Sequence, residues 1–113
     1  LDLRLCRDHK FILNYPEQRT TQIAGHLFKQ AGFTPKVSLR IRSLMTTVSL
    51  SAKGYGMAFS SEKYPRELCL GDKPYILSIG EPVTMMNLVA GYRKGIKPSL
   101  YAQTFIDIAR QFY

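Results

Sequence analysis

Residues 36–60 read KVSLRIRSLMTTVSLSAKGYGMAFS, and this stretch decides the fold. Val37, Leu39 and Ile41 alternate with Ser38, Arg40 and Arg42, the period of a half-buried strand over 36–41. From Leu44 the apolar spacing lengthens. Leu44, Met45, Val48 and Ala52 fall on one helical face. Ser43 stands at the joint, where its hydroxyl can accept from the first free helical N–H groups. Gly54 and Gly56 stop the helix and turn the chain into Met57, Ala58 and Phe59, an apolar run that fits a buried parallel strand. A strand–helix–strand unit of this kind carries its ligand at the carboxyl ends of the strands, beside the helix N-terminus.

Upstream, Phe11-Ile12-Leu13 is an apolar run closed by Asn14-Tyr15-Pro16, a buried strand entering a loop. Arg19 to Ala31 is amphipathic, with Ile23, Ala24, Leu27, Phe28 and Ala31 on one face. Thr20 or Thr21 can cap its start, and Gly32 suits the left-handed position past its end. Downstream, residues 60–65 are polar and read as a loop or one helical turn. Residues 74–79 and 86–92 are rich in strand formers. Ser99 is a good N-cap for a closing helix whose apolar face carries Tyr101, Phe105, Ile108, Ala109 and Phe112. The order β-α-β-α-β-β-β-α is that of a layered α/β domain with a central, mostly parallel sheet.

The chain has 113 residues, 45% hydrophobic and 21% charged, enough for one domain with a core. Its formal net charge of +8 favours anionic partners. The same cations also fit a solvated surface, since no run of five or more basic residues occurs. Cys6 and Cys69 have no second Cys or His at a metal-ligand spacing. They can pair or sense redox state, or serve as reduced, partly buried residues of a cytosolic protein. No signal peptide and no apolar run of transmembrane length is present, so no membrane partner is expected.

The run Gln30-Ala31-Gly32-Phe33-Thr34-Pro35-Lys36-Val37 resembles the "helix, AGF-x-P-x-V, strand" passage of LysR-type transcriptional regulators. Ser43-Leu44 with Val48, Ala52, Gly54 and Gly56 is similar to that family's "S-L-…-V-…-A-G-x-G" passage. Tyr92-Arg93-Lys94-Gly95, then Pro98-Ser99, Ala102 and Phe105-Ile106, resembles its closing strand and helix. The resemblance implies part of the C-terminal effector-binding domain, a Rossmann-like, three-layer lobe of the type 2 periplasmic-binding-protein architecture. Residues 8–82 would be the second lobe, and residues 83–113 the strand and helix that return to the first. A small, anionic effector would bind in the interlobe cleft, and DNA would be read only through an N-terminal helix-turn-helix absent from this chain. The family also implies a cytoplasmic, non-catalytic protein without cofactors, forming a homodimer or higher oligomer through helix 19–31 and strand 36–41. With most of the first lobe missing, effector binding by this chain alone would be weak or absent.

The strand ends and the resemblance select the same residues: Asn14, Tyr15 and Arg19 after the first strand, Arg42, Ser43 and Leu44 after the second, Ser60 and Ser61 after the third. Ser43 with the amides of Leu44 and Met45 would form an anion-binding helix N-terminus, or Ser43 would simply cap. Arg42 can pair a ligand carboxylate or be a solvated charge. Ser60 and Ser61 stand where many family members have proline, which loosens that wall. Asp8-His9 suggests acid–base chemistry, but no G-x-S-x-G nucleophile accompanies it, and His9 and His26 fit structural or surface roles. Gly54-Tyr55-Gly56 is a turn and not a phosphate-cradling G-x-G-x-x-G loop. Competing functions are a periplasmic-type solute-binding module, an effector-independent dimerisation module and, last, a small α/β enzyme.

Overall fold

The computed structural model describes residues 1–67, 71, 73–80 and 89–112. A 3-10 turn over Leu3–Cys6 leads into β1 (Lys10–Leu13), α1 (Arg19–Ala31), β2 (Lys36–Arg40) and α2 (Leu44–Ala52). A short α3 (Lys63–Glu67) and the closing α4 (Leu100–Phe112) follow. β1 and β2 pair in parallel, and Met57 adds a parallel bridge to Phe11 on the other side of β1. β1 is thus central, and the connection from β2 to Met57 passes across it.

Alternation along β1 sends its side chains to two layers. Phe11 and Leu13 join Leu3, Cys6, Ala24 and Phe28 in one core cluster. Phe28 of α1 is its hub, with ring centroids 4.9 Å from Phe11, 5.3 Å from Phe33 and 5.4 Å from Phe59. Ile12 and Asn14 occupy the opposite face, where Asn14 reaches Thr47 of α2. Helices therefore cover both faces of a small parallel sheet.

α1 spans the residues that its periodicity indicates, and Gly32 ends it with φ 74°, its N–H donating back to Lys29. The start differs from expectation. Gln18 is the N-cap and makes no side-chain cap, while Thr20 turns to Asn14. α2 starts after Ser43 as expected, but its buried pair is Thr47 and Val48, with Met45 53% exposed. Gly56 sits so close to β1 that a Cβ would lie 3.0 Å from the Lys10 carbonyl oxygen and 3.1 Å from Ile12 Cγ1.

β2 departs from the regular alternation in Val37, Leu39 and Ile41. Phe11 pairs with Val37 but Ile12 pairs with Leu39, so Ser38 is bulged out, and its Oγ donates to the Phe11 carbonyl at 3.2 Å. A one-residue shift exchanges faces. Val37 stays with the α1 core, Leu39 moves to the Ile12 face at 43% exposure, and Arg40 comes level with Leu13.

Two expected strands are corrected, and a third is described only in part. Met57–Phe59 contributes one bridge, with Ile12 N–H donating to Met57 O and Met57 N–H to Lys10 O, each at 2.8 Å. Residues 74–79 pair with no strand among the described residues, since strand composition alone does not supply a partner. Tyr75 is fully exposed, and only Ile79 packs against the core. Of the expected strand 86–92, residues 86–88 lie outside the described residues, and 89–92 are irregular and exposed. The periodicity of α4 holds and Ser99 Oγ accepts from Ala102 N–H. Its apolar face is left uncovered by the described residues: Tyr101 is 87% and Phe105 72% exposed.

Candidate functional site

Because the three chain segments run parallel, the loops after β1, after β2 and after Met57–Phe59 emerge at one edge. Asn14 ends β1 with its side chain turned inward, 3% exposed. Its Nδ2 donates to the Ile41 carbonyl at 2.8 Å and to Thr47 Oγ1 at 3.1 Å, and its Oδ1 accepts from Thr20 Oγ1 at 3.1 Å. Tyr15, next along, is exposed, and its backbone N–H donates to Gln18 Oε1 at 3.0 Å. Gln18 Nε2 donates in turn to the Arg42 carbonyl at 2.9 Å, which ties the first loop to the second.

Arg42 lies over the Tyr15 ring, 4.9 Å from its centroid, and its Nη1 is 3.4 Å from Glu17 Oε1. Both partners of that ion pair are largely solvent-exposed, so the contact orients the guanidinium weakly. Ser43 performs the capping role: its Oγ accepts from Thr46 N–H at 3.3 Å, and its carbonyl accepts from Thr47 N–H and Oγ1, each at 3.0 Å. The amides of Leu44 and Met45 in the first turn have no acceptor among the described residues, as helix geometry dictates. The loop into α2 thus carries a guanidinium over an aromatic ring, and the helix opens with two free amides, the kinds of group that bind a carboxylate or similar anion.

Of the residues expected at the site, Tyr15, Arg42 and Ser43 come together. Leu44 is half-buried in the first turn of α2, and Asn14 lies beneath them. Arg19 opens α1 exposed, and its side chain has no ion pair among the described residues. Ser60 and Ser61 are exposed beyond Phe59, and no described contact joins them to Arg42 or Tyr15. The sequence does not single out Glu17, Gln18 or Thr47, and it offers Thr20 only as a helix cap, whereas its hydroxyl serves Asn14. The usable signal for Thr47 is a hydroxyl four residues after the capping Ser43, inside an otherwise apolar helical face.

A shallow groove of about 480 Å³ lies elsewhere, between α1 and β2, lined by Leu13, Phe28, Lys29, Phe33 and Arg40 among others. It contains none of Tyr15, Arg42 or Ser43. Its shallow shape and its place on a sheet edge suit a macromolecular contact better than a small ligand, so the strand-end cluster is the better ligand candidate. Cys6 is a buried free thiol, and Cys69 lies outside the described residues. His9 and His26 are exposed, and no group of three metal-ligating side chains forms among the described residues. No helix among them is long and apolar enough to cross a membrane.

The family model described as the LysR substrate binding domain matches residues 1–113. No curated protein and no solved structure matches the chain. A family match over this span, on an α/β framework with its polar cluster at the strand ends, shows that the chain belongs to the LysR substrate binding domain family.

Proposed function

We propose that this chain is the effector-sensing part of a bacterial LysR-type DNA-binding regulator, and that it binds a small anionic metabolite without transforming it. The observation that carries this reading is the Arg42 guanidinium held over Tyr15 in the loop that leads into α2, a helix that opens with the free amides of Leu44 and Met45. An anion there gains a charge-assisted hydrogen bond and the helix dipole together. We assign residues 8–82 to one lobe and 83–113 to a return towards the other, with the effector closing the cleft between them. Closure would bias how the cytoplasmic regulator sits on DNA through a separate helix-turn-helix.

The groove between α1 and β2 supports a second role for this chain in self-association through helix 19–31 and strand 36–41. Lys29 and Arg40 ring an apolar floor of Phe28 and Phe33, a mixture that suits the rim and core of a protein contact.

Calorimetry of the intact regulator against a panel of carboxylates, sulfates and phosphates tests the effector role. Heat of binding that disappears in Arg42→Ala, together with a ligand-dependent change in operator affinity, is the expected result. Operator affinity unmoved by every anion in the panel would overturn it.

A further inference from the structure

We propose that Asn14 and Thr47 are positioning residues of the anion site: they touch no effector and instead hold the start of α2 at a set distance from β1 and α1. The proposal rests on the anion-site reading above. The connections form one directed chain. Thr20 Oγ1, in the first turn of α1, donates to Asn14 Oδ1 at 3.1 Å. Asn14 Nδ2 donates to Ile41 O at 2.8 Å, on the loop that delivers Arg42, and to Thr47 Oγ1 at 3.1 Å. Thr47 Oγ1 passes its own proton to the Ser43 carbonyl at 3.0 Å.

Each donor in this chain has one use. Asn14 spends both amide protons, and Thr47 spends its only hydroxyl proton. The amide orientation is therefore determined, since the reverse flip would set Asn14 Oδ1 against the Ile41 carbonyl oxygen. Asn14 is 3% and Thr47 1% exposed, so water cannot substitute for a lost partner at little cost. The cluster fixes the N-terminus of α2 at the point where Leu44 and Met45 present their free amides. A site that binds through backbone amides gains affinity from such preorganisation.

The test compares Thr47→Val, which keeps the volume and the β-branch but removes the hydroxyl, with Thr47→Ser, which restores it. Amide hydrogen exchange reports positioning, and displacement of the Leu44 and Met45 amide resonances by sodium sulfate reports binding. Loss of about one buried hydrogen bond should speed exchange at Thr46 and Thr47 about fivefold relative to Phe28 and Lys29. Sulfate affinity should fall by about the same factor, and Thr47→Ser should recover both to within about twofold. Exchange that rises equally at all four amides, or that Thr47→Ser leaves unrecovered, overturns the positioning role whatever sulfate does. If the local exchange effect and its rescue hold while sulfate never moves Leu44 or Met45, the clamp is supported and the anion reading is what falls.

Discussion

Arg42 stacks over Tyr15 at 4.9 Å and at the same time meets Glu17 at 3.4 Å, so the cation best placed for an anionic ligand is already engaged by a carboxylate of its own chain. The stacking is compatible with a bound anion, because a guanidinium lying on a ring keeps its N–H edge available. The ion pair competes with such an anion, because Glu17 already engages Nη1.

Glu17→Gln should therefore raise affinity for an anion at the start of α2. An exposed pair is worth about 0.2–1 kcal/mol, which corresponds to about a 1.4-fold to fivefold gain. The gain should shrink as salt is added, because both side chains are well exposed. Titration of wild type and Glu17→Gln with sulfate at two ionic strengths measures it, and equal affinities at low salt would exclude the competition.

Ser43 has one role that the geometry shows and one that it permits. Capping alone assigns to Ser43→Ala a loss of about 1 kcal/mol and to Ser43→Gly only a few tenths. If the hydroxyl also meets the effector, both variants should lose affinity equally, since neither has the oxygen. Denaturant unfolding and effector titration of the two variants separate these contributions.

How much of this was legible beforehand follows from what each residue does. α1 could be read because its period is unbroken from Ile23 to Ala31 and Gly32 ends it. The capping role of Ser43 could be read because a hydroxyl before an apolar helical face has few other uses. The bulge at Ser38 was hidden by the regularity of Val37, Leu39 and Ile41, since alternation says nothing about a residue skipped in pairing. Asn14 reads as a loop residue because asparagines after strands usually are, and its partners Thr20, Ile41 and Thr47 are distant in sequence. Residues 74–79 have strand composition without a strand, because composition reports a preference and not a partner: Tyr75, Ile76 and Leu77 lie exposed and unpaired with any described strand.

The two glycines of contrasting surroundings give opposite expectations. A Cβ at Gly56 would press to 3.0 Å on the Lys10 carbonyl, which is backbone and cannot swing aside. Gly56→Ala should cost about 1–3 kcal/mol by overpacking. Gly25 lies within α1 with nothing within 4 Å of its would-be Cβ, so Gly25→Ala should stabilise by about 0.5–1 kcal/mol. Urea midpoints of the two variants on either side of wild type are the expected result; a Gly56→Ala midpoint at or above wild type contradicts the close approach.

Thr21 Oγ1 is buried and has no hydrogen-bond partner among the described residues. Thr21→Val removes that hydroxyl while keeping its shape and should stabilise by about 1 kcal/mol. Thr20→Val, one residue earlier, deletes a hydroxyl that serves Asn14 and should destabilise by a comparable amount. Thermal unfolding of the pair decides the matter, and a loss of stability in Thr21→Val would show that its hydroxyl has a partner.

Acid should release the N-terminal turn before the core. Asp2 accepts from the Arg4 backbone N–H and side chain, and the neighbouring guanidinium lowers its pKa from 3.8 to about 2. A folded-state value below the unfolded one gives a contribution that is complete above pH 3.8 and lost as pH falls towards 2. Asp2→Asn removes the charge at every pH and should abolish that dependence while leaving the β1–α1 core intact. Following the Arg4 amide resonance from pH 5 to pH 2 measures the transition. The Asp2 carboxylate caps the turn over Leu3–Cys6, whose buried Leu3 and Cys6 close one side of the core, so Leu3 and Cys6 amides should follow the same titration. A midpoint near the ordinary carboxyl value would mean that Arg4 does not hold Asp2 in solution.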